Sequence, residues 1–173
     1  MEGYTITKEI GHGGMGSVFE GRSPNGERIA IKMMSNKATI NPEFRELFYS
    51  EVKALRKMNH PSVVKIVGDY FSDSDGNLYL PMEFVDGMTM EQYIDNQALD
   101  ENEALKIFKK ILDAFVYIHR AGCIHRDIKP SNVMLKPDGN ICVIDFGIAK
   151  DAKTSTGKTI GRIIGTDGYM SPE

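Results

Sequence analysis

At 173 residues, 41% hydrophobic and 26% charged, the chain is long enough for one domain with a real core or two small lobes around a cleft, and its ordinary composition excludes a disordered or fibrous protein. A net charge of −3 supplies no basic stripe, so no nucleic-acid partner is expected. No apolar run is long enough to span a bilayer and Met1-Glu2-Gly3-Tyr4 lacks the start of a signal peptide, so the chain is expected to be soluble and cytoplasmic, with no membrane segment.

Tyr4 to Ile10 alternates apolar and polar residues, a glycine cluster follows, and Ser17 to Arg22 resumes a strand-like pattern, which predicts a hairpin with a glycine-rich tip. Pro24-Asn25-Gly26-Glu27 reads as a turn and Arg28 to Met34 as a third strand. Asn41 and Pro42 predict a helix start, because asparagine accepts orphan amide bonds and proline suits the first helical position; the helix runs to about Met58. Its apolar stripe holds Phe44, Leu47, Phe48, Val52 and Leu55, with Glu51 inside it, where a carboxylate needs a cationic partner. Val63 to Phe71 and Leu78 to Phe84 read as two further strands joined by the polar turn Asp73 to Asn77, and Pro81 predicts a locally unpaired or edge position.

Past Asp86-Gly87 the pattern turns helical, with a short piece near Met90 to Asn96 and a long helix opened by a capping box from Asp100 to Glu103. Ala104, Ile107, Phe108, Ile111, Leu112, Phe115 and Ile118 cover more than one face of that helix, so it needs partners on several sides. Gly122 ends it, and short strands at Val133 to Leu135 and Ile141 to Ile144 flank the turn Pro137-Asp138-Gly139-Asn140. Cys123 and Cys142 have no zinc-site spacing and are expected to be reduced and buried.

Gly11-His12-Gly13-Gly14-Met15-Gly16 satisfies Gly-x-Gly-x-x-Gly. A dinucleotide fold needs a helix after the last glycine, whereas Ser17-Val18-Phe19-Glu20-Gly21 reads as a strand. What remains is a glycine-tipped hairpin whose amides can approach phosphates, or a flexible tip with no ligand. Ile29-Ala30-Ile31-Lys32 puts a lysine in an apolar strand, where its ammonium must reach water or an anion; Glu51, the odd carboxylate of the next helix, is its expected partner. Cys123-Ile124-His125-Arg126-Asp127-Ile128-Lys129-Pro130-Ser131-Asn132 packs a carboxylate, two cations and an amide into one loop, a charge density that is costly unless a ligand uses it. Asp145-Phe146-Gly147 then aims a second carboxylate to where the first lobe would close. Two carboxylates and an amide suit a hard divalent metal held on nucleotide phosphates.

These motifs, in this order and ending on Ser171-Pro172-Glu173, resemble the eukaryotic-type serine/threonine protein kinases across the whole chain, and Gly13-Gly14-Met15-Gly16 and Asp145-Phe146-Gly147-Ile148-Ala149-Lys150 are similar to bacterial members. The resemblance implies an α+β, bilobal protein-kinase-like fold. Residues 1–85 would form an N-lobe with a five-stranded antiparallel sheet plus one helix, and residues 86–173 a partial, mostly helical C-lobe with the catalytic loop, the magnesium-binding loop and the activation segment. It also implies ATP and Mg2+ as cofactors and proteins bearing serine or threonine as substrates.

By the same resemblance, Gly11, Gly13 and Gly16 cover the phosphates, Lys32 holds the α and β phosphates, Glu51 holds Lys32, Asn132 and Asp145 bind magnesium, and Asp127 orients the substrate hydroxyl and accepts its proton. Met82 stands at the back of the adenine pocket, Glu83 and Val85 offer backbone hydrogen bonds to the base, and Val18, Ala30 and Met134 sandwich the ring. Lys129 would stabilise the transferring phosphate and, with Thr166, marks serine/threonine specificity. Arg126 resembles the arginine that grips a phosphorylated activation segment, with Thr154, Ser155, Thr156 and Thr159 as candidate phosphosites. His125 is expected to support the catalytic loop, whereas His12, His60 and His119 have no metal spacing.

The chain ends at Glu173, where the family's domain continues into further helices. A truncated kinase is therefore expected, binding nucleotide with weak or absent phosphoryl transfer and self-associating through uncovered helix faces. A nucleotide-binding, pseudokinase-like scaffold is the alternative. Lys129, Thr166 and Ser171-Pro172-Glu173 count against a small-molecule phosphotransferase.

Overall fold

The computed structural model describes residues 3–13, 16–34, 40, 42–125, 127–146 and 168–169, without the side chains of Glu43, Phe44, Leu47, Ser50 and Glu51. Five antiparallel strands, β1 (Thr5–Gly13), β2 (Gly16–Arg22), β3 (Arg28–Met34), β4 (Phe71–Ser72) and β5 (Leu78–Glu83), form one sheet in the order β1-β2-β3-β5-β4. Helix α1 (Pro42–Leu55) follows β3. A second sheet, in the order β6-β7-β8, joins β6 (Met88–Thr89), β7 (Val133–Leu135) and β8 (Ile141–Val143). Between β6 and β7 lie α2 (Met90–Asn96), α3 (Glu101–Arg120) and a 3-10 turn, Pro130–Asn132.

The first hairpin is longer than its alternating pattern suggests. Pairing continues through the glycines, with Gly11 opposite Val18 and Gly13 opposite Gly16, because a missing side chain removes no ladder donor or acceptor. Gly16 is required by its backbone: φ is 151°, and a Cβ there would overlap the Met33 carbonyl oxygen. In β3 the two-residue period sends Ile29 and Ile31 to a small outer cluster with Tyr79, while Met34, on the opposite face, joins the main core. Lys32 shares the face of Ala30 and Met34, which is why its ammonium emerges on the inner side of the sheet.

The segment expected to be one strand from Val63 to Phe71 is not one. Its backbone bonds divide between the two sheets: Val64 N–H donates to Val143 O (3.0 Å) and Ser62 O accepts from Val143 N–H (2.8 Å), then Lys65 O accepts from Glu83 N–H (2.8 Å) and Val67 N–H donates to Pro81 O (3.2 Å). A segment that serves two sheets in turn satisfies its polar groups without forming a ladder. It also explains Pro81, whose carbonyl faces this segment; the amide that proline lacks would face the same way, where β4 has already ended, so no bond to β3 is lost.

Helix α2 opens on a capping box between Thr89 and Gln92. The Asp100 carboxylate caps α3 through the amides of Asn102 and Glu103 at 2.8 and 3.0 Å, but the reciprocal half expected from Glu103 is replaced by a bond from the Tyr93 hydroxyl at 2.6 Å, which ties α2 to α3. One apolar core runs through both parts of the molecule, from Met34, Phe48 and Leu80 to Ile118, Ile141 and Val143. Helix α3 buries Ile107, Ala114, Phe115 and Ile118 against it and leaves Leu105, Phe108, Leu112 and Val116 exposed. Ile118→Ala is therefore expected to destabilise the fold by about 2 to 5 kcal/mol and Phe108→Ala by less than about 0.5 kcal/mol, read from urea melts. Equal losses would refute this assignment of faces.

Candidate active site

Some of the base-facing positions expected from the sequence are neighbours in the first sheet. Ala30 pairs with Met82 between β3 and β5, and Val18 pairs with both Gly11 and Lys32. Ala30, Val85 and Met134 are partly buried against the main core, and Met82 is within it. Glu83 is engaged with Lys65, its amide on the Lys65 carbonyl at 2.8 Å and its carboxylate on the Lys65 amide at 3.1 Å. Phe84 and Asp86, which flank Val85, both contact Arg28, a residue that no motif marked because its partners lie up to 58 positions away.

Lys32 Nζ donates to Asp145 Oδ1, joining the first sheet to the residue two positions past β8. The other partner expected from the sequence, the Glu51 carboxylate, lies outside the described residues. Asp145 has φ 53°, the one positive value at a non-glycine among the described residues, which turns its carboxylate away from the line of β8. Buried Asp127 lies in a dense polar knot. Asn132 Nδ2 donates to its carbonyl (2.8 Å) and to its Oδ2 (3.2 Å), and the Lys129 ammonium lies 3.4 Å from Oδ2. The Asp127 amide donates to His125 Nδ1 at 3.3 Å, and His125 Nε2 donates to the Ile144 carbonyl at 3.1 Å. The imidazole is packed between Phe115 and Phe146, with ring centres 5.6 and 4.8 Å away. It is thus the neutral Nε2–H form, and it links the Asp127 backbone to the chain just before Asp145.

The donor chemistry fits a hard cation. With its Nδ2 committed to Asp127, Asn132 presents its amide oxygen, and Asp145 retains its second carboxylate oxygen beside Lys32. Among the described residues no cluster of three or more histidine, cysteine or acidic side chains forms a full cage. Mg2+ is a hard cation of this kind, which keeps waters and binds through one or two protein oxygens plus phosphates. A separate cavity of about 740 Å3 between α2, α3 and the β7–β8 turn contains none of the expected site residues. Its charged groups are largely committed, Lys110 to Gly139 and Asn140 and Glu103 to Tyr93.

The Glu51 side chain, Arg126, Gly147, the hydroxyls Thr154, Ser155, Thr156, Thr159 and Thr166, and Ser171-Pro172-Glu173 lie outside the described residues.

The family model for the protein kinase domain matches residues 4–173, so this chain belongs to the protein kinase family. It is 39% identical to a probable serine/threonine-protein kinase PknB of Lactococcus lactis and 36% identical to the serine/threonine-protein kinase PrkC of Bacillus subtilis, in each case over 98% of this chain. It spans only 27% and 26% of the length of those two relatives. Among solved structures, the kinase domain of Mycobacterium tuberculosis PknI matches with a TM-score of 0.75 and 30% identity, over 87% of this chain and 61% of that one. The likeness establishes the kinase fold, with its five-stranded N-lobe sheet and a partial C-lobe. Among the described residues no helix is long and apolar enough to cross a membrane.

Burial pushes the His125 imidazole below its ordinary 6.5, outweighing the carboxylates of Asp127 and Asp145, which favour the proton, while Lys32 opposes it. The unfolded chain therefore takes up the proton first, and the stability this group contributes is complete above about pH 6.5 and is lost as pH falls through its lowered native value. Melting temperatures are expected to fall between pH 7.5 and pH 5, and the His125 share of that fall should vanish in His125→Gln. An unchanged pH slope in that variant would refute the role.

Proposed function

We propose that residues 1–85 and 86–173 are the two lobes of a kinase catalytic domain that grips magnesium ATP between them, in a cytoplasmic protein that transfers the γ-phosphoryl group to serine or threonine hydroxyls of other proteins. The observation that carries this reading is the Lys32–Asp145 ion pair between positions 113 residues apart, next to the knot of Asp127, Lys129 and Asn132. Lys32 would hold the α and β phosphates, with Glu51 as its second partner, and Gly11, Gly13 and Gly16 would let backbone amides reach them. Met82, the Glu83 carbonyl and Val85 would meet the base, and Val18, Ala30 and Met134 would close on its faces. Asn132 and Asp145 would hold magnesium, which when bound neutralises phosphate charge. Asp127 would orient the substrate hydroxyl and take its proton, and the adjacent Lys129 ammonium would offset charge on the transferred group. Every named group acts by position or charge.

A nucleotide-binding, pseudokinase-like scaffold is the second reading. In either reading the exposed stripe Leu105, Phe108, Leu112 and Val116 on α3 suits association with another copy of the chain.

Two measurements test these proposals. In the kinase reading, Asp127→Asn keeps MgATP affinity within about twofold and lowers whatever phosphate transfer to a generic protein the unsubstituted chain shows by on the order of 10²- to 10⁴-fold. Transfer that survives in this variant overturns the role of Asp127, and nucleotide binding with no Asp127-dependent transfer at all in the unsubstituted chain selects the scaffold. For self-association, the sedimentation coefficient is expected to rise with concentration and to stay monomeric in Phe108→Asp. A monomer at every concentration excludes self-association.

A further inference from the structure

Residues 84–87 carry the chain from β5 to β6, and they include the backbone of Val85. Arg28, the first residue of β3, grips this segment from the side of the first sheet. Its Nη1 donates to Asp86 Oδ1 at 2.7 Å, and its guanidinium carbon lies 3.6 Å from the centre of the Phe84 ring. Its Nε and Nη2 donate to the two oxygens of Glu20 at 2.8 and 3.3 Å. Glu20 stands on β2 opposite Ala30, and Ile29 stands opposite Glu83, so this one side chain is anchored among the strands that wall the expected base site. Beyond the grip, Gly87 has φ 144°, and a Cβ there would overlap the Leu135 carbonyl oxygen, so the segment passes hard against β7.

We infer that Arg28 is a positioning residue for base recognition: by holding both neighbours of Val85 against β2 and β3, it fixes the Val85 peptide groups that meet the nucleotide base. The inference rests on the nucleotide reading above and deepens it. The geometry needs arginine. A planar fork engages two carboxylates along its edge while its face covers an aromatic ring, whereas a lysine ammonium is a single point charge that cannot meet all three partners. Both Arg28 and Asp86 are exposed, and ion pairs in such positions add little to global stability. The effect of the grip therefore falls on the placement of the segment and on the ordering needed when a base binds.

The test titrates Arg28→Ala, Arg28→Lys and Asp86→Asn with MgATP and with adenosine, alongside Lys32→Ala, and records melting curves for each. Arg28→Ala is expected to weaken both ligands by the same factor, on the order of five- to tenfold, Arg28→Lys to lose most of that despite its charge, and Asp86→Asn to lose less. Lys32→Ala is expected to weaken MgATP and leave adenosine unchanged. The inference is overturned if Arg28→Lys binds both ligands as the unsubstituted chain does, or if it loses MgATP with adenosine unaffected. Affinity losses that merely track falling melting temperatures across the Arg28 and Asp86 variants assign Arg28 to the fold and also overturn it. An unsubstituted chain that binds neither ligand removes the nucleotide reading and this inference together, whereas normal binding in all the Arg28 variants removes the inference alone.

Discussion

A lysine ammonium on one sheet meeting an aspartate carboxylate beside the other is the contact around which this molecule is arranged. Lys32 is largely shielded on a strand whose other inward residues are Ala30 and Met34, so its charge requires an anion. The nearest chain on its own sheet is apolar. Asp145 can meet that need because the second sheet is held close, and that closeness comes from segment 62–67, which gives its backbone bonds first to β8 and then to β5. A continuous apolar core beneath both sheets makes the same connection through packing. Hydrogen bonding, packing and charge therefore converge on one relative placement of the two sheets, and each would be unsatisfied without the others.

On the Asp127 side, the constraint is a chain of committed donors. The buried His125 ring joins the Asp127 amide to the Ile144 carbonyl, and Asn132 closes the loop back onto Asp127. Burial of an unpartnered carboxylate at Asp127 would be costly, and here it is surrounded by an amide side chain and a lysine. The same bonds that relieve that cost fix the carboxylate relative to Asp145, whose own left-handed backbone is local strain held in place by Phe146 packed against His125.

What was legible in the sequence follows the range of the physics involved. The strand from Arg28 to Met34, a mostly apolar run after the turn Pro24-Asn25-Gly26-Glu27, and the long helix opened by Asp100 were readable because turn and capping chemistry are local signals. The odd charges at Lys32 and in the loop from His125 to Asn132 were readable as places needing partners, since a charge in an apolar context announces a cost. The Asp145 contact was less accessible, because Lys32 and Asp145 are separated by 113 positions; the Glu51 side chain, the other expected partner, lies outside the described residues. Segment 63–71 has the pattern of a strand without being one, because residue pattern reports what could lie in a sheet, not which of two sheets claims each amide. Arg28 carried no signal at all, since a charged residue at the start of a strand is ordinary and its partners are assembled only by the fold.

The charges gathered at the site also bear on what form of ligand it accepts. Among the described side chains, Asp127 and Asp145 carry two formal negative charges, and Lys32 and Lys129 two positive ones, so the group is formally neutral. Asp145 would repel phosphate oxygens brought alongside Lys32. On the proposed reading, a polyphosphate that arrives with its own divalent cation removes that difficulty, because the phosphate oxygens would take the ammonium while the cation would take the carboxylate and the Asn132 amide oxygen. On the proposed reading, the preference for magnesium ATP over ATP alone is thus built into the pairing of Lys32 with Asp145, since the two groups that satisfy each other across the sheets are the two that such a ligand satisfies in their place.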